Sequence, residues 1–279
     1  MAFTLLGKNV ELGSPLRLSS WRKVAIGTWR TAGDPSVYGV LEVDAEPVLE
    51  YLQEIFLKSG RKVTLTHFMG AVVGRTLARH PEINVVLRWG QLYPRKTADV
   101  FFQVASDVRG DDLSGMVVRG ADQKSLLQIA DEVSAKVRSI KANDDRDYAR
   151  MKGLMGFLPG IVSGWVLSVS GWFLYRMNFW SSLLGVPRDS FGGVMITNVG
   201  SLGLDLGFAP LVPYSHVPIL IALGRIQEMP VVKNGQVVVG KRIKLCVTFD
   251  HRLIDGVHAA KMAKTVEGFF FRPRQELGE

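Results

Sequence analysis

The feature that most restricts the fold of this 279-residue chain is an uncharged run of 23 residues from Gly153 to Tyr175, GLMGFLPGIVSGWVLSVSGWFLY. A run of that length is enough to cross a bilayer as one helix. After Arg176, only MNFWSSLLGVP precedes the next charged residue, which is about half of the roughly 20 residues that a second crossing needs. A two-span hairpin therefore does not fit, and a single crossing would put the two parts of the chain on opposite sides of the membrane.

The residues of this run indicate a surface role. Pro159 and Gly160 interrupt the run early, and Trp165, Trp172 and Trp180 follow. Because indole rings favour the water–lipid interface, one interpretation is an interfacial or re-entrant element that docks on a membrane or a lipid-like substrate. The other is an apolar surface buried between the subunits of an oligomer. Both interpretations predict a patch that is too apolar to stay exposed on a soluble monomer.

Composition excludes several classes of protein. The sequence is 47% hydrophobic, which is enough for a sizeable core, and its single cysteine, Cys246, has no partner for an intrachain disulfide. The Cys and His residues show no zinc spacing, so we expect no metal. The first residues, MAFTLLGKNVELGS, are too short an apolar stretch for a secretory signal, so we expect a cytoplasmic protein. The net charge of +8 comes without a nucleic-acid-binding motif, and we expect no nucleic-acid partner.

Hydrophobic spacing predicts an α+β fold. Helical spacing occurs in five segments: SSWRKVAIGTWR, AEPVLEYLQEIFLKSG, TLTHFMGAVVGRTLARHP, DQKSLLQIADEVSAKVRSI and GVHAAKMAKTVEGFF. Extended patterns occur in VYGVLEVD, Asn84 to Arg88, ADVFFQVASD, GGVMITNV, VPILIALGRI and PVVKNGQVVVGKRIKLCVTFD, with a hairpin turn at Asn234-Gly235. Because the order lacks regular βαβ alternation, we expect a sandwich of mixed sheet and helices, and no Rossmann sheet.

The segment TFDHRLIDGVHAAK places a histidine where an alternating run meets a helical one. His251 lies at the predicted end of a strand, and Gly256 opens the next helix, so the imidazole can face a cleft. The alternative gives His251 an ordinary hydrogen bond at a strand end and makes Asp255 a negative charge at the helix N-terminus. Local sequence does not choose between the two.

Several motifs in order resemble one family. FDHRLIDG is similar to the DHRxxDG signature of the catalytic domain of dihydrolipoyl acyltransferases, the core components of 2-oxoacid dehydrogenase complexes, and GGVMITNVGSLG is similar to their GGTFTISNLG strand. SSWRKVAIGTW, VTLTHFMGAVVGRTLARHPEINVVL and VVRGADQKSLLQIADEV extend the resemblance over most of residues 14 to 270. The family shares its fold with chloramphenicol acetyltransferase. The resemblance implies one acyltransferase-like catalytic domain over residues 1–279, with a hydrophobic insert at 152–187.

The resemblance also implies the chemistry. His251 matches the family's general base, and Thr197 lies where the family has a serine that donates a hydrogen bond to the oxyanion. Asp255 matches an aspartate with a structural role, in which it pairs with an arginine of the first helix. Arg22 is the candidate for that arginine. No covalent acyl-enzyme is implied. The family builds its sites between the subunits of a trimer, so His251 and Thr197 would come from neighbouring chains. Four other histidines match no catalytic position, namely His67, His80, His216 and His258.

The sequence departs from the family at three places. The resemblance begins within about 20 residues of Met1, which leaves no room for an N-terminal lipoyl domain in this sequence. Ser36 follows a proline where the family usually has histidine, in a segment that lines the acyl or lipoyl channel. The insert lies between a helix and the Thr197 strand, close enough to reshape the acceptor side of the site.

These observations lead to three functional hypotheses. The first is a coenzyme A-dependent acyltransferase, trimeric or a larger assembly of trimers, whose acceptor is a hydroxyl, amine or thiol on an apolar or membrane-associated molecule. Its insert would hold it peripherally on the inner face of a membrane. The second is a standalone dihydrolipoyl acyltransferase core that works with lipoyl domains on another chain. The third is a non-catalytic assembly protein that keeps the trimer or cage geometry.

Overall fold

The computed structural model describes residues 34–89, 91–105, 113–141, 160–180 and 188–278. The chain divides into two units, Met1–Asp34 and Pro35–Glu279, and every element below belongs to the second. The predicted first helix and Arg22 lie outside the described residues.

The described strands and helices alternate irregularly along the chain. The strands are β1 Ser36–Asp44, β2 Val85–Arg88, β3 Gln91–Pro94, β4 Val100–Ala105, β5 Leu113–Val118, β6 Val194–Asn198, β7 Ile219–Leu223, β8 Gln227–Lys233 and β9 Gln236–Asp250. The α-helices are α1 Glu46–Ser59, α2 Leu65–Arg79, α3 Leu126–Lys141, α4 Gly160–Gly171, α5 Gly256–Phe271 and α6 Pro273–Leu277.

Seven of these strands form one mixed sheet. Its order is β1-β9-β7-β6-β4-β5, and β8 pairs with the first part of β9. Strand β6 runs parallel to both β4 and β7, and the other pairs are antiparallel. Strands β2 and β3 form a separate hairpin. The mixed sheet agrees with the predicted α+β class.

The two faces of the sheet carry different cores. Because side chains alternate along a strand, Ile196 and Ile221 point to one face and Met195 and Ala222 to the other. The first face packs against the helices in the main core, and we call it the helix face. The other, which we call the second face, carries a smaller cluster that includes Met195, Leu220, Ala222 and Cys246.

Local signals explain where several elements begin and end. In α2, the Thr64 hydroxyl accepts a hydrogen bond from the His67 amide, and the His67 ring accepts one from the Thr64 amide. This capping box satisfies two amides that the helix leaves unpaired. In the β8–β9 turn, Asn234 and Gly235 have φ values of 52° and 76°. Positive φ at both central residues is the type I′ geometry, so the predicted hairpin is confirmed.

The described part of the insert is helical. Helix α4 continues into a π-helical turn at Trp172–Arg176, a feature that often marks functional segments. Among the residues that the structure describes, no helix combines the length and the apolar character that a membrane crossing requires. The proline of the predicted break lies outside the described residues.

Two strands were not predicted from the sequence, β3 and β5. Strand β3 is four residues long and exposed throughout. Strand β5 contains Gly115, which usually weakens a strand. Here the Phe101 ring of β4 occupies the space, and a Cβ at position 115 would lie 2.1 Å from it. The glycine therefore makes room for a ring from the neighbouring strand.

Candidate active site

His251 is the first residue after β9, at the start of a tight turn. Its amide donates a hydrogen bond to the Pro35 carbonyl at 2.9 Å, and the preceding amide, of Asp250, donates one to the Pro218 carbonyl at 2.9 Å. These bonds tie the turn to the segments that lead into β1 and β7. The side chain of His251 is exposed, so the backbone holds the residue in place and leaves its imidazole open to a substrate.

The residues on either side of His251 form an ion pair. Asp250 is buried, and its carboxylate accepts hydrogen bonds from the Arg252 amide at 3.0 Å and from the Arg252 guanidinium at 2.6 to 3.2 Å. The Asp250 carbonyl accepts two further bonds, from the amides of Leu253 and Ile254, each at 3.0 Å. This network fixes the turn on both sides of the imidazole. Asp250 and Arg252 were not predicted from the sequence as part of the site.

Asp255 is the N-cap of α5. Its Oδ1 atom accepts hydrogen bonds from the Val257 amide at 2.9 Å and the His258 amide at 3.0 Å, while the His258 ring lies against the same carboxylate. The bond from the His258 amide, above all, holds the Asp255 pKa below its ordinary value of 3.8, and the charge of protonated His251 contributes in the same direction. The carboxylate therefore stays ionised at neutral pH. The predicted Asp255–Arg22 pair lies outside the described residues.

Thr197 lies in β6, and strand alternation places its side chain on the second face with Met195. Its neighbour Asn198 points to the helix face, where its amide nitrogen donates a hydrogen bond to the Thr66 hydroxyl of α2 at 3.0 Å. The two neighbours thus have different tasks. Asn198 anchors the end of β6 to a helix, and the half-buried Thr197 lies on the second face.

The chain after Thr197 passes close to the end of β7. A Cβ at Gly200 would lie 2.5 Å from the Gly224 carbonyl oxygen, so no larger residue fits there without moving the backbone. The Asn198 side chain accepts a hydrogen bond from the Ser201 amide at 3.0 Å, which closes this turn. The strand end that carries Thr197 is therefore held from both sides.

The sheet register keeps Thr197 and His251 of one chain apart. Thr197 pairs with Ala222 of β7, which in turn pairs with Cys246 of β9. His251 is five residues beyond Cys246. At about 3.3 Å per residue along a strand and about 4.8 Å between strands, the two residues lie roughly 20 Å apart. One reacting centre cannot contact both residues of the same chain.

An apolar strip borders the His251 turn. Val37, Tyr38 and Val40 of the edge strand β1 are exposed, and the Tyr38 ring packs edge-on against exposed Phe208 with 5.3 Å between centroids. Exposed apolar side chains along an edge strand are typical of a protein–protein interface.

Ser36 begins the same edge strand. It pairs with Asp250 in the sheet register, so it lies beside the residue that precedes His251. Ser36 was predicted to lie in a segment that lines the substrate channel, and this role in the channel stays a prediction.

The insert reaches the same end of the sheet. The Tyr175 ring stacks on His216 at 4.5 Å between centroids, and burial raises the Tyr175 pKa, so the phenol stays neutral. Burial also lowers the His216 pKa, with smaller contributions from the charges of Arg176, Arg252 and Arg95. His216 is therefore neutral at pH 7 and close to the Asp250–Arg252 pair. The insert thus contacts the segment that leads into β7 through His216, a residue to which no role was assigned from the sequence.

The remaining histidines have local partners. His67 and His258 belong to capping boxes, and the His80 ring is hydrogen-bonded to the Thr265 hydroxyl at 2.8 Å. Within the described ranges, no group of three or more His, Cys, Asp or Glu side chains is arranged to hold a metal ion.

Comparison with known families gives one match over most of the chain. The model of the 2-oxoacid dehydrogenases acyltransferase catalytic domain matches residues 17–147 and 188–277. Residues 148–187, which contain the insert, fall outside the match. The resemblance drawn from the motifs is confirmed.

Curated relatives from two Staphylococcus species carry the same name. The dihydrolipoyllysine-residue acetyltransferase component of the pyruvate dehydrogenase complex is 26% identical in Staphylococcus aureus over 92% of this chain and 50% of that protein. The Staphylococcus epidermidis protein is 25% identical, again over 92% of this chain and 50% of that protein. The chain thus spans about half the length of the curated relatives that it matches.

Solved structures share the fold. A dihydrolipoamide acetyltransferase from Azotobacter vinelandii has a TM-score of 0.65 and 19% identity, and covers 95% of this chain and 94% of its own. The cubic core of a pyruvate dehydrogenase multienzyme complex has a TM-score of 0.66 and 18% identity, and the match covers 95% of this chain and 99% of that one. A truncated 2-oxoacid dehydrogenase core from Thermoplasma acidophilum has a TM-score of 0.61 and 20% identity, and the match covers 94% of this chain and 99% of that core. The predicted fold class, a chloramphenicol-acetyltransferase-like sandwich of mixed sheet and helices, is confirmed.

Proposed function

The chain belongs to the family of 2-oxoacid dehydrogenase acyltransferase catalytic domains, and from this membership we propose that it transfers an acyl group between coenzyme A and an acceptor thiol. The observation that carries the proposal is the His251 turn. An exposed imidazole stands at the end of a sheet, held by its backbone and by the Asp250–Arg252 pair, with the ionised Asp255 beside it. This is the environment that a general base requires.

In this mechanism, His251 accepts the proton of the attacking thiol. The sulfur forms a bond to the thioester carbonyl carbon, and the carbonyl oxygen becomes an oxyanion. The intermediate then collapses, the bond to the first sulfur breaks, and protonated His251 returns its proton to the departing thiolate. Asp255 has a structural part in this mechanism, at the start of α5.

The Thr197 hydroxyl donates a hydrogen bond to the oxyanion. The Azotobacter vinelandii enzyme was studied for the roles of a serine, a histidine and an asparagine in its mechanism, and there the asparagine follows the histidine by four residues. The same spacing separates His251 from Asp255 here. This spacing supports assigning His251 and Asp255 to corresponding positions. The assignment of Thr197, and of Asp255 and Arg22 as a structural pair, rests on the resemblance of the motifs.

We further propose that each site is shared by two subunits of a trimer. The separation of roughly 20 Å between Thr197 and His251 of one chain supports this arrangement. The apolar strip of Val37, Tyr38 and Val40 beside the His251 turn offers the surface on which a neighbouring chain would pack. One structural relative is the cubic core of a multienzyme complex, so a larger assembly of trimers belongs to the same proposal.

Two acceptors are supported by different observations. The names of the curated relatives favour a dihydrolipoyl group and an acetyl donor. The insert favours an apolar or membrane-associated acceptor, because its Tyr175 stacks on His216 next to the catalytic turn. With an apolar or membrane-associated acceptor, the protein would act in the cytoplasm, peripherally on the inner face of a membrane.

The test is an assay of coenzyme A release and of acylated product. The native protein is incubated with acetyl-coenzyme A and with longer acyl-coenzyme A, with dihydrolipoamide or with an alkyl thiol held in detergent micelles. We expect acceptor-dependent release, with one mole of acylated thiol formed per mole of free coenzyme A. Faster turnover with dihydrolipoamide assigns the lipoyl acceptor, and faster turnover with the alkyl thiol assigns the apolar one.

Release that is no faster than in a protein-free control, with every acceptor, would contradict the proposed chemistry. The result would favour the non-catalytic assembly protein. Measuring mass by light scattering on the same sample then decides whether the assembly survives without the activity.

A further inference from the structure

An exposed aromatic surface joins the insert to the β2–β3 hairpin. Its members are large apolar side chains with exposed fractions above 40%; we call them the aromatic face: Trp89, Leu92, Tyr93, Trp165, Trp172, Phe173, Met177, Phe179 and Trp180. Trp165 is 72% exposed and Trp89 is 56% exposed. The hairpin lies within the family match and the insert outside it, so the face combines a family element with an element that the family match does not include.

Direct contacts hold the face together. The Trp89 ring packs edge-on against Trp172 with 6.3 Å between centroids, and Trp172 packs against Phe173 at 5.0 Å. Trp165 and Trp172 are seven residues apart, which puts them on the same side of a helix. The Phe179 amide donates a hydrogen bond to the Phe173 carbonyl at 3.0 Å, so the chain after the π-helical turn folds back onto the face.

Two arginines, Arg88 and Arg176, lie among the aromatic residues of the face and give it positive charge. The Arg88 guanidinium lies 5.3 Å from the centroid of the Tyr93 ring, and the Arg176 guanidinium lies 5.7 Å from that of Trp89. Arg88 also donates two hydrogen bonds to the Arg176 carbonyl, at 3.2 and 3.1 Å, which lock the hairpin to the insert. Residues 85–94 and 160–180 contain these two arginines and no acidic residue.

The charge pattern favours an anionic bilayer over a two-fold copy of the same face as the partner. In a two-fold contact between copies of this chain, each surface meets itself, and the arginines of one copy would face those of the other without a carboxylate from either segment. Removing these like charges from water is unfavourable. A bilayer with anionic headgroups supplies the opposite charge, and its interfacial region accommodates indole rings.

We propose that the aromatic face docks the protein on a lipid bilayer that carries anionic headgroups. The rings of Trp165, Trp172 and Trp89 enter the interfacial region, and the guanidinium groups of Arg88 and Arg176 contact lipid phosphates. The inference rests on the exposed surface alone, so it holds whichever acceptor the catalytic site uses.

The experiment is flotation of the full chain with vesicles of phosphatidylcholine alone or mixed with phosphatidylglycerol. We expect the native protein to float with the mixed vesicles. The double variant Trp165→Ser/Trp172→Ser should bind them at least about tenfold more weakly, because two large apolar side chains no longer enter the interface. Matched controls are Leu57→Ser and Phe271→Ser, which remove apolar side chains that are 72% and 74% exposed on other helices, and we expect no change in their binding.

A charge variant tests the second part of the proposal. Arg176→Gln should weaken binding to the mixed vesicles about fivefold and leave binding to phosphatidylcholine unchanged. Arg61→Gln, an exposed arginine that pairs with Asp131, is the control. Because Arg176 is exposed, the variant is expected to fold.

Three results would overturn the proposal: no flotation of the native protein with the mixed vesicles, equal flotation of the tryptophan variant, or a loss of oligomer mass in that variant without any lipid binding. The last result would assign the face to a subunit contact. Coenzyme A release with a soluble thiol, measured on the same samples, tests the catalytic proposal separately. An active protein that does not bind vesicles refutes only the docking face.

Discussion

Replacing His251 with alanine is expected to lower kcat for acyl transfer by a factor of about 10² to 10⁴, the usual contribution of a positioned general base. The fold should survive, because the imidazole is exposed and the turn is held by the hydrogen bond from the His251 amide to the Pro35 carbonyl and by the Asp250–Arg252 pair. The KM for acyl-coenzyme A should change much less than kcat. Initial rates of coenzyme A release, with the acceptor in excess, provide the measurement.

His80→Ala is the matched control for this variant. His80 is a histidine whose ring is hydrogen-bonded to Thr265 of α5, away from the catalytic turn. We expect its kcat to stay within about threefold of the native value, since it has no part in proton transfer. A His251→Ala protein with native kcat would remove His251 from the chemistry.

The second large effect is expected at Thr197. Thr197→Val keeps the shape of the side chain in β6 and removes the hydroxyl, so kcat should fall by a factor of about 10² to 10³, as for the loss of one oxyanion donor. Thr197→Ser restores a hydroxyl at the same position and should recover most of the rate. Comparing kcat and KM across the three proteins separates a loss of transition-state stabilisation from a loss of substrate binding.

A structural role for Thr197 predicts a different order. If β-branching in the strand were what mattered, the valine variant would keep the native rate and the serine variant would lose it. The rate order of native, serine and valine therefore tests the oxyanion role without any change in fold.

The elements with strong local signals could be predicted from the sequence. The Asn234-Gly235 turn required positive φ at two adjacent residues, and the sequence offered the pair best suited to that geometry. Helix α1 carries proline in its first turn and ends at Gly60 with a φ of 68°. The motif around His251 combined a strand end with a helix start, and the structure contains both.

The features that were not predicted depend on contacts between distant segments. Gly115 of β5 is explained only by the Phe101 ring of the adjacent strand, which no local pattern reveals. His216 resembled an ordinary histidine because its partner, Tyr175, lies in the insert. The aromatic face likewise needed the structure, since Trp89 of the hairpin and Trp172 of the insert are far apart in sequence.

Asp255 shows that two interpretations of one residue can both hold. The sequence offered either a helix N-terminal charge or a member of the catalytic motif. The structure makes it the N-cap of α5, with hydrogen bonds to two amides, and also places it close enough to His251 for their charges to interact. The residue fixes the helix start, and its role in the catalytic motif stays a prediction.

The central claim is that His251 of one subunit and Thr197 of its neighbour form one site, and subunit complementation tests it most directly. The His251→Ala and Thr197→Val chains are co-expressed with different affinity tags, and assemblies that contain both are purified over two columns. In a three-fold ring, every mixed trimer has one site in which both residues are native.

We predict that the mixed trimers recover about one third of the native rate, although each variant alone is nearly inactive. If both residues instead acted within one chain, no mixed trimer would contain an intact site. Activity of the mixed trimers no higher than that of the two single variants would contradict the account.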